Sequence, residues 1–193
     1  MKLSTVRCGI LSLALVALVS TAQAADEPTA FDLIKEGNRY VSEDAKDKVV
    51  TIRSEKSVGT LIPNIWYVVY YDPDATFKAT EVKFGAGKKM SVKRPMRMLE
   101  PVTGENKKLD SKKFKTDSDD ALNVAKKEPL LANLNLKSTQ FWLERVDEEP
   151  AWKIRLWATK VSNSNKIVDI GDVYVSTAEG KVVKLDLHPE RAD

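Results

Sequence analysis

The chain contains one histidine, His188, in the tail Leu187-His-Pro-Glu190, and one cysteine, Cys8. A thiolate nucleophile needs a base beside it, and a protein zinc site needs several nitrogen or sulfur ligands. Neither can be assembled from this set. A Ser-His-Asp arrangement would have to use His188, and no Gly-x-Ser-x-Gly turn presents a serine to it. His188 therefore reads as a surface tail residue. Asp72-Pro-Asp74 and Asp117-Ser-Asp-Asp120 offer oxygen ligands of the kind calcium takes, but neither has the glycine and distal glutamate of a calcium loop. They read as a turn and as a helix start. No glycine pattern for nucleotide phosphates occurs. The inventory predicts a protein that is not an enzyme and that uses no metal and no cofactor.

What remains is surface. The run Pro150-Ala-Trp-Lys-Ile-Arg-Leu-Trp-Ala158 alternates, placing Trp152, Ile154 and Leu156 on one face and Lys153, Arg155 and Trp157 on the other. The same parity points Trp142 away from Phe141 and Leu143, and Tyr174 away from the core. Tyr67 and Tyr71 occupy that side earlier in the chain. A face holding Trp142, Arg155, Trp157, Tyr174, Tyr67 and Tyr71 has the composition of a protein-binding hot spot. Stacked sheets would cover this face as a second core, whereas sheets joined edge to edge would leave it open.

The elements that position these residues occur in two sets. Asp172 to Ser176 and Lys181 to Leu187 read as strands around a turn in which Gly180 takes a positive φ, so Pro150 to Leu187 is an antiparallel meander. The polar stretch Val161 to Lys166 reads as a loop within it. An earlier meander runs from the Trp66 strand, across Asp72-Pro-Asp74, to Gly87-Lys88. A helix precedes each: one from the capping-box-like Thr29-Ala-Phe-Asp32, weakened by Gly37, and one capped by Asp117 with Ala121, Leu122 and Ala125 buried. Lys48 to Ser54 and Ser138 to Val146 supply one further strand to each half. The expected fold is α+β, two repeated units, each a helix packed on a small antiparallel β-meander. Trp66 and Trp152 are then equivalent core residues, each under its own unit's helix near Leu33 and Leu122.

Residues 1–24 carry Lys2 and Arg7, an apolar run from Gly9 to Val19, and Ala22-Gln-Ala24, the order of a secretory signal cleaved after Ala24. The apolar run is shorter than the roughly 20 residues a spanning helix needs. The expected location is the periplasm or the medium, with no transmembrane segment in the mature chain. Removing Lys2 and Arg7 with the leader takes the formal charge from +3 to +1, so global charge selects no partner. The remaining boundaries are a first unit over 25–97, a basic linker over 98–116 and a second unit over 117–193. Lys88, Lys89, Lys93, Arg94 and Arg97 head a basic stretch that could touch an anionic membrane surface weakly. No stacking aromatics are interleaved there, so nucleic acid is not expected.

Ala121-Leu122-x-x-Ala125, then Pro150-Ala-Trp-Lys-Ile154, then Val173-Tyr-Val175 and Gly180-Lys-Val-Val183 together resemble the PepSY family of secreted bacterial domains over about residues 117–187. The chain departs from the family's usual Asp-Ala-x-Thr-Gly-Lys-Val ending, with Ser176-Thr-Ala-Glu-Gly-Lys-Val182 in its place. Tandem copies resemble the architecture of the beta-lactamase inhibitor protein. The resemblance implies a non-catalytic module that binds another protein, such as a peptidase or envelope enzyme it inhibits. The alternative is a carrier of a small apolar ligand held between helix and sheet. That reading requires a cavity of about 300 Å³ or more lined by residues such as Trp66, Phe84 and Leu156.

Overall fold

The computed structural model describes residues 28–94, 108–161 and 163–192. The leader, Arg97 and residues 98–107 of the expected linker lie outside these. The described chain forms α1 (Ala30–Gly37), β1 (Val49–Ser54), β2 (Ile65–Tyr71), β3 (Ala79–Gly85), β4 (Lys88–Lys93), α2 (Ser118–Ala125), β5 (Leu134–Val146), β6 (Glu149–Lys160), β7 (Asn163–Ser176) and β8 (Val182–Leu187).

All eight strands belong to one antiparallel sheet in the order β4-β3-β2-β1-β5-β6-β7-β8. The expectation of two repeated helix-on-meander units is therefore wrong. β1 pairs with β5, through Ile52↔Leu143 and Arg53↔Trp142, and one core runs beneath both halves. Two short helices are a minor part of a structure that is mostly sheet. The physical reason is edge satisfaction. As separate meanders, β1 and β5 would each present a row of unpaired N–H and C=O groups, and joining them pairs both rows.

Hydroxyls reinforce that junction. Ser54 Oγ accepts from the Phe141 amide at 2.9 Å, and Thr51 Oγ1 donates to the Leu143 carbonyl at 2.9 Å. Beyond the end of β1, Ser57 Oγ accepts from the Thr139 amide at 2.8 Å, and Thr139 Oγ1 donates to the Leu61 carbonyl at 2.6 Å.

Strand parity holds across the sheet. Trp66, Val68, Tyr70, Ile52, Phe141, Leu143, Trp152, Ile154, Leu156, Val173 and Val175 are buried in the core, with the apolar faces of α1 and α2 packed on them. The helices do not each serve one meander. Phe31 of α1 stacks on Trp152, with ring centroids 5.9 Å apart, and on Phe114 at 5.0 Å. Leu122 of α2 borders a cleft against Trp66.

The helix starts differ from the sequence expectation. Thr29 makes no side-chain bond to the α1 backbone, and its hydroxyl donates to Asp32 instead. The first amides of α1 are satisfied from α2's start: Phe31 N–H donates to both Asp117 carboxylate oxygens (3.2 and 3.1 Å) and Ala30 N–H to Ser118 Oγ (3.2 Å). Asp117 also accepts from Ser118 N–H, so one carboxylate caps two helices. Part of the expected linker packs on the sheet. Leu109 is buried and donates to the Val49 carbonyl, and the Thr116 carbonyl accepts from Trp152 Nε1.

β7 begins at Asn163, nine residues before the expected Asp172, so most of the polar stretch 161–166 is strand. Its Asn and Ser residues have poor strand propensity, and pairing with β6 overrides it. Gly180 takes φ +64° in the turn before β8, as its position requires.

Candidate protein-binding face

The face opposite the helices is built by the same alternation. Cross-strand register places Lys83 of β3 beside Tyr67 of β2, Tyr67 beside Arg53 of β1, and Arg53 beside Trp142 of β5. The line continues to Lys153 of β6, Tyr174 of β7 and Lys184 of β8. Seven residues from seven strands thus form one row in which cation and aromatic alternate. The aromatic rings stand two strands apart, roughly 9.6 Å.

The contacts follow the register. Arg53 Cζ lies 3.9 Å from the Tyr67 ring centroid, with Lys83 Nζ 5.0 Å from that ring. Lys153 Nζ lies 5.6 Å from Trp142 and 5.8 Å from Tyr174, and Lys184 Nζ 5.0 Å from Tyr174. Arg155, one step along β6, sits 5.7 Å from Trp142. Such contacts are worth about 0.5–1 kcal/mol each at exposed sites.

Carboxylates fix the cations. Arg155 grips Asp172 with two bonds, Nε–Oδ1 2.9 Å and Nη2–Oδ2 3.1 Å, and Lys153 reaches the same carboxylate at 3.5 Å. Arg53 donates to Glu81 at 2.9 Å. Glu55 accepts from the Tyr67 hydroxyl at 2.5 Å and from Lys83 at 3.2 Å. The Tyr67 bond leads in holding the Glu55 carboxyl below its ordinary value; burial opposes it, and the bond from Lys83 and then its charge add to the lowering. Burial works against the Lys153 ammonium, but Asp172 leads the attractions that raise its pKa all the same. Both signs of charge thus lie along the row, with Arg53, Lys83, Lys153 and Arg155 each paired to a carboxylate.

Of the residues expected on this face, Trp142, Arg155, Tyr174 and Tyr67 do come together. Tyr174 is buried, covered in part by the lysines that flank it. Trp157 lies past a bulge, with Lys56 Nζ 4.1 Å from its ring. Tyr71 stands apart in a small apolar cluster with Val69, Ala79 and Val50. Sequence reasoning missed Arg53 and Lys83 with their partners Glu81 and Glu55, and Lys184. Arg53 was findable, since it lies between the inward residues Ile52 and Ser54.

The basic stretch is divided. Lys88, Lys89 and Lys93 lie on β4, one of the sheet's two edge strands, and Arg94 follows it. Lys89 lies 5.1 Å from the Tyr40 ring, while Lys93 pairs with Glu81 in the ladder. Lysines on an edge strand discourage pairing with another chain.

The acidic clusters have other uses. Asp72 accepts from Thr80, from Ser42 and from the Asp74 amide. Its burial opposes ionisation, but those bonds prevail and its pKa lies below the ordinary value. His188 is on the surface between Asp186 and Glu190. Among the described residues no group of three or more His, Cys, Asp or Glu is placed to hold a metal ion, and no helix is long and apolar enough to cross a membrane.

A solved structure shares this fold. The crystal structure of a "putative lipoprotein" from Clostridium difficile 630 superposes with a TM-score of 0.53, covering 83% of this chain and 93% of that one. The two sequences are 18% identical, so the likeness is one of fold alone. No family model matches the sequence, and no curated protein does.

Proposed function

We propose that this protein is a non-catalytic, exported binding module that holds a folded protein partner on the face opposite its helices. The leader-like segment at 1–24 supports export to the periplasm or the medium. The observation that carries the reading is the row Lys83-Tyr67-Arg53-Trp142-Lys153-Tyr174-Lys184 with its interleaved Glu55, Glu81 and Asp172. Aromatics and arginine are the residues that dominate protein interfaces. Charges of both signs along the row suit a surface that is itself two-signed, whereas a polyanion would meet the acids as repulsion. The PepSY resemblance makes peptidases and envelope enzymes the first partners to test.

The test is capture from the envelope fraction of the producing cell. Trp142→Ala and Arg53→Ala should lose partners that wild type and Lys126→Ala retain. Identical captured sets from all four proteins would remove this face from consideration.

One observation favours a second reading. A cleft of about 530 Å³ lies between the helix starts and the sheet, with Trp66, Phe141, Leu122, Ile62 and Pro63 in its wall. That is ample for a small apolar ligand. Phe84 and Leu156 are not in its lining and are fully buried. An apolar dye whose binding quenches Trp66 fluorescence, and is lost in Leu122→Lys, would support carriage. A dye indifferent to that change would count against it.

A further inference from the structure

We infer that β8 is a self-association edge, along which a second copy of this chain adds its own β8 in an antiparallel pair centred on Leu185. β8 ends the sheet, and no strand among the described residues lies beyond it. The His188 amide donates to the Ile170 carbonyl at 2.8 Å, in line with the register Gly171↔Leu187, Asp172↔Asp186 and Val173↔Leu185. Backbone groups alternate in direction along an antiparallel pair. Lys184, Asp186 and His188 therefore turn their backbone groups toward β7, and Leu185 and Leu187 turn theirs to the free edge. Such a row is a template for another strand.

The side chains of β8 are open to a partner as well. Leu185 stands beside the fully buried Val173 on the helix side of the sheet, yet it is 41% exposed, and Val183 is 53% exposed. Lys184 and Asp186 lie on the opposite face, beside Tyr174 and Asp172. The final turn, Pro189–Ala192, packs on β7 and β6 with Ala192 buried, so it runs back under the sheet rather than along this edge.

The charge order of β8 selects a second copy as the occupant. In a two-fold pair centred on Leu185, the two Leu185 side chains meet, each Lys184 meets the other copy's Asp186, and each Val183 meets the other copy's Leu187. The centre also falls on a residue whose backbone groups point outward, so hydrogen bonding and charge choose the same register. Centring on Lys184 or on Asp186 sets like charges opposite each other and aims the central backbone groups at β7. The other edge has no such option: β4 carries Lys88, Lys89 and Lys93 and no acid, so no register of β4 on itself pairs opposite charges. Lys184 also closes the aromatic row, and the pairing carries that row on to the second copy. The inference needs no other protein, and its failure leaves the capture experiment untouched.

The experiment is sedimentation equilibrium of the exported, processed protein up to about 1 mM, because one short strand pair is a small interface. A monomer–dimer equilibrium is expected. Lys184→Glu and Asp186→Lys each place like charges opposite one another twice in the dimer, and each should weaken self-association about tenfold. An equimolar mixture of the two variants should associate again, because every pair in the mixed dimer is then of opposite sign. The double variant should associate for the same reason. Both positions are exposed, and unchanged circular dichroism would confirm folding. A wild type that stays monomeric would overturn the inference, as would association that Lys184→Glu leaves intact. So would single variants that remain monomeric when mixed, or a dimer lost on Lys88→Glu with Lys89→Glu, which would place the contact on β4.

Discussion

The indole rings of Trp66 and Trp152 meet edge to face, with centroids 6.4 Å apart and planes at 77°. Each also contacts Phe141, at 5.6 and 6.0 Å. The two tryptophans lie 86 positions apart in the chain, so their meeting is what makes the two halves of the sheet one body. Truncating either should cost about 3–5 kcal/mol. Their effects should not add, with a coupling of about 0.5–3 kcal/mol in a double-mutant cycle by urea unfolding. Trp157→Ala should cost far less, because that ring lies on the other face under Lys56.

The β1-β5 junction depends on a hydroxyl in the core. Ser54→Ala leaves the Phe141 amide without its buried acceptor. The expected cost is about 1–3 kcal/mol, with faster hydrogen exchange at Phe141. Ser91→Ala, at the half-exposed edge strand β4, should change stability by less than about 0.5 kcal/mol. Equal effects from the two would mean that the junction does not rely on Ser54.

Asp117 gives a pH signature. Burial pushes its carboxyl above the ordinary value, against the bonds it accepts from the Ser118 and Phe31 amides. The native state therefore holds this proton more tightly than the unfolded chain does. Its contribution to stability falls as pH rises from about 3.8 through the raised pKa. Asp32, Glu55 and Asp72 have lowered pKa values and contribute in the opposite sense, losing stability as pH falls below the unfolded values. They do so in wild type and variant alike. The urea midpoint of Asp117→Asn should thus gain on that of wild type as pH rises across this window. A constant difference would show that Asp117 does not titrate abnormally. Asp117→Ala, which uncaps two helices, should cost about 1–2 kcal/mol at neutral pH.

Gly37 ends α1, where alanine would ordinarily favour the helix by about 1 kcal/mol. Here a Cβ would stand 2.2 Å from the hydroxyl of Tyr70, which is buried and donates to the Ile34 carbonyl at 2.9 Å. Gly37→Ala should therefore destabilise. Adding Tyr70→Phe should restore part of the loss, since it removes the atom in the way. Thermal unfolding of the two singles and the double decides it: additive losses would show that the crowding is relieved in another manner.

Much of the local structure was legible in the sequence. Alternation at Trp152-Lys-Ile-Arg-Leu156 fixed which side chains turn to the core, because successive strand residues point to opposite faces whatever the strand pairs with. The turn at Gly180 and the α2 start at Asp117 were legible for the same local reason. The same alternation turned Trp142, Arg155, Tyr174 and Tyr67 to the side opposite the helices. Tertiary structure decided the rest. Nothing within residues 48–54 or 138–146 states that these two strands are neighbours. Their pairing follows from two otherwise unsatisfied edges and from aromatic rings that only a shared core can bury. That one junction turned two expected units into a single sheet. It also brought Arg53 beside Trp142, completing the row across the chain's two halves. The α1 cap followed the same pattern. Thr29 had the local signal, but the carboxylate of Asp117, 86 residues from Phe31, took the amide once the fold placed the two helix starts together.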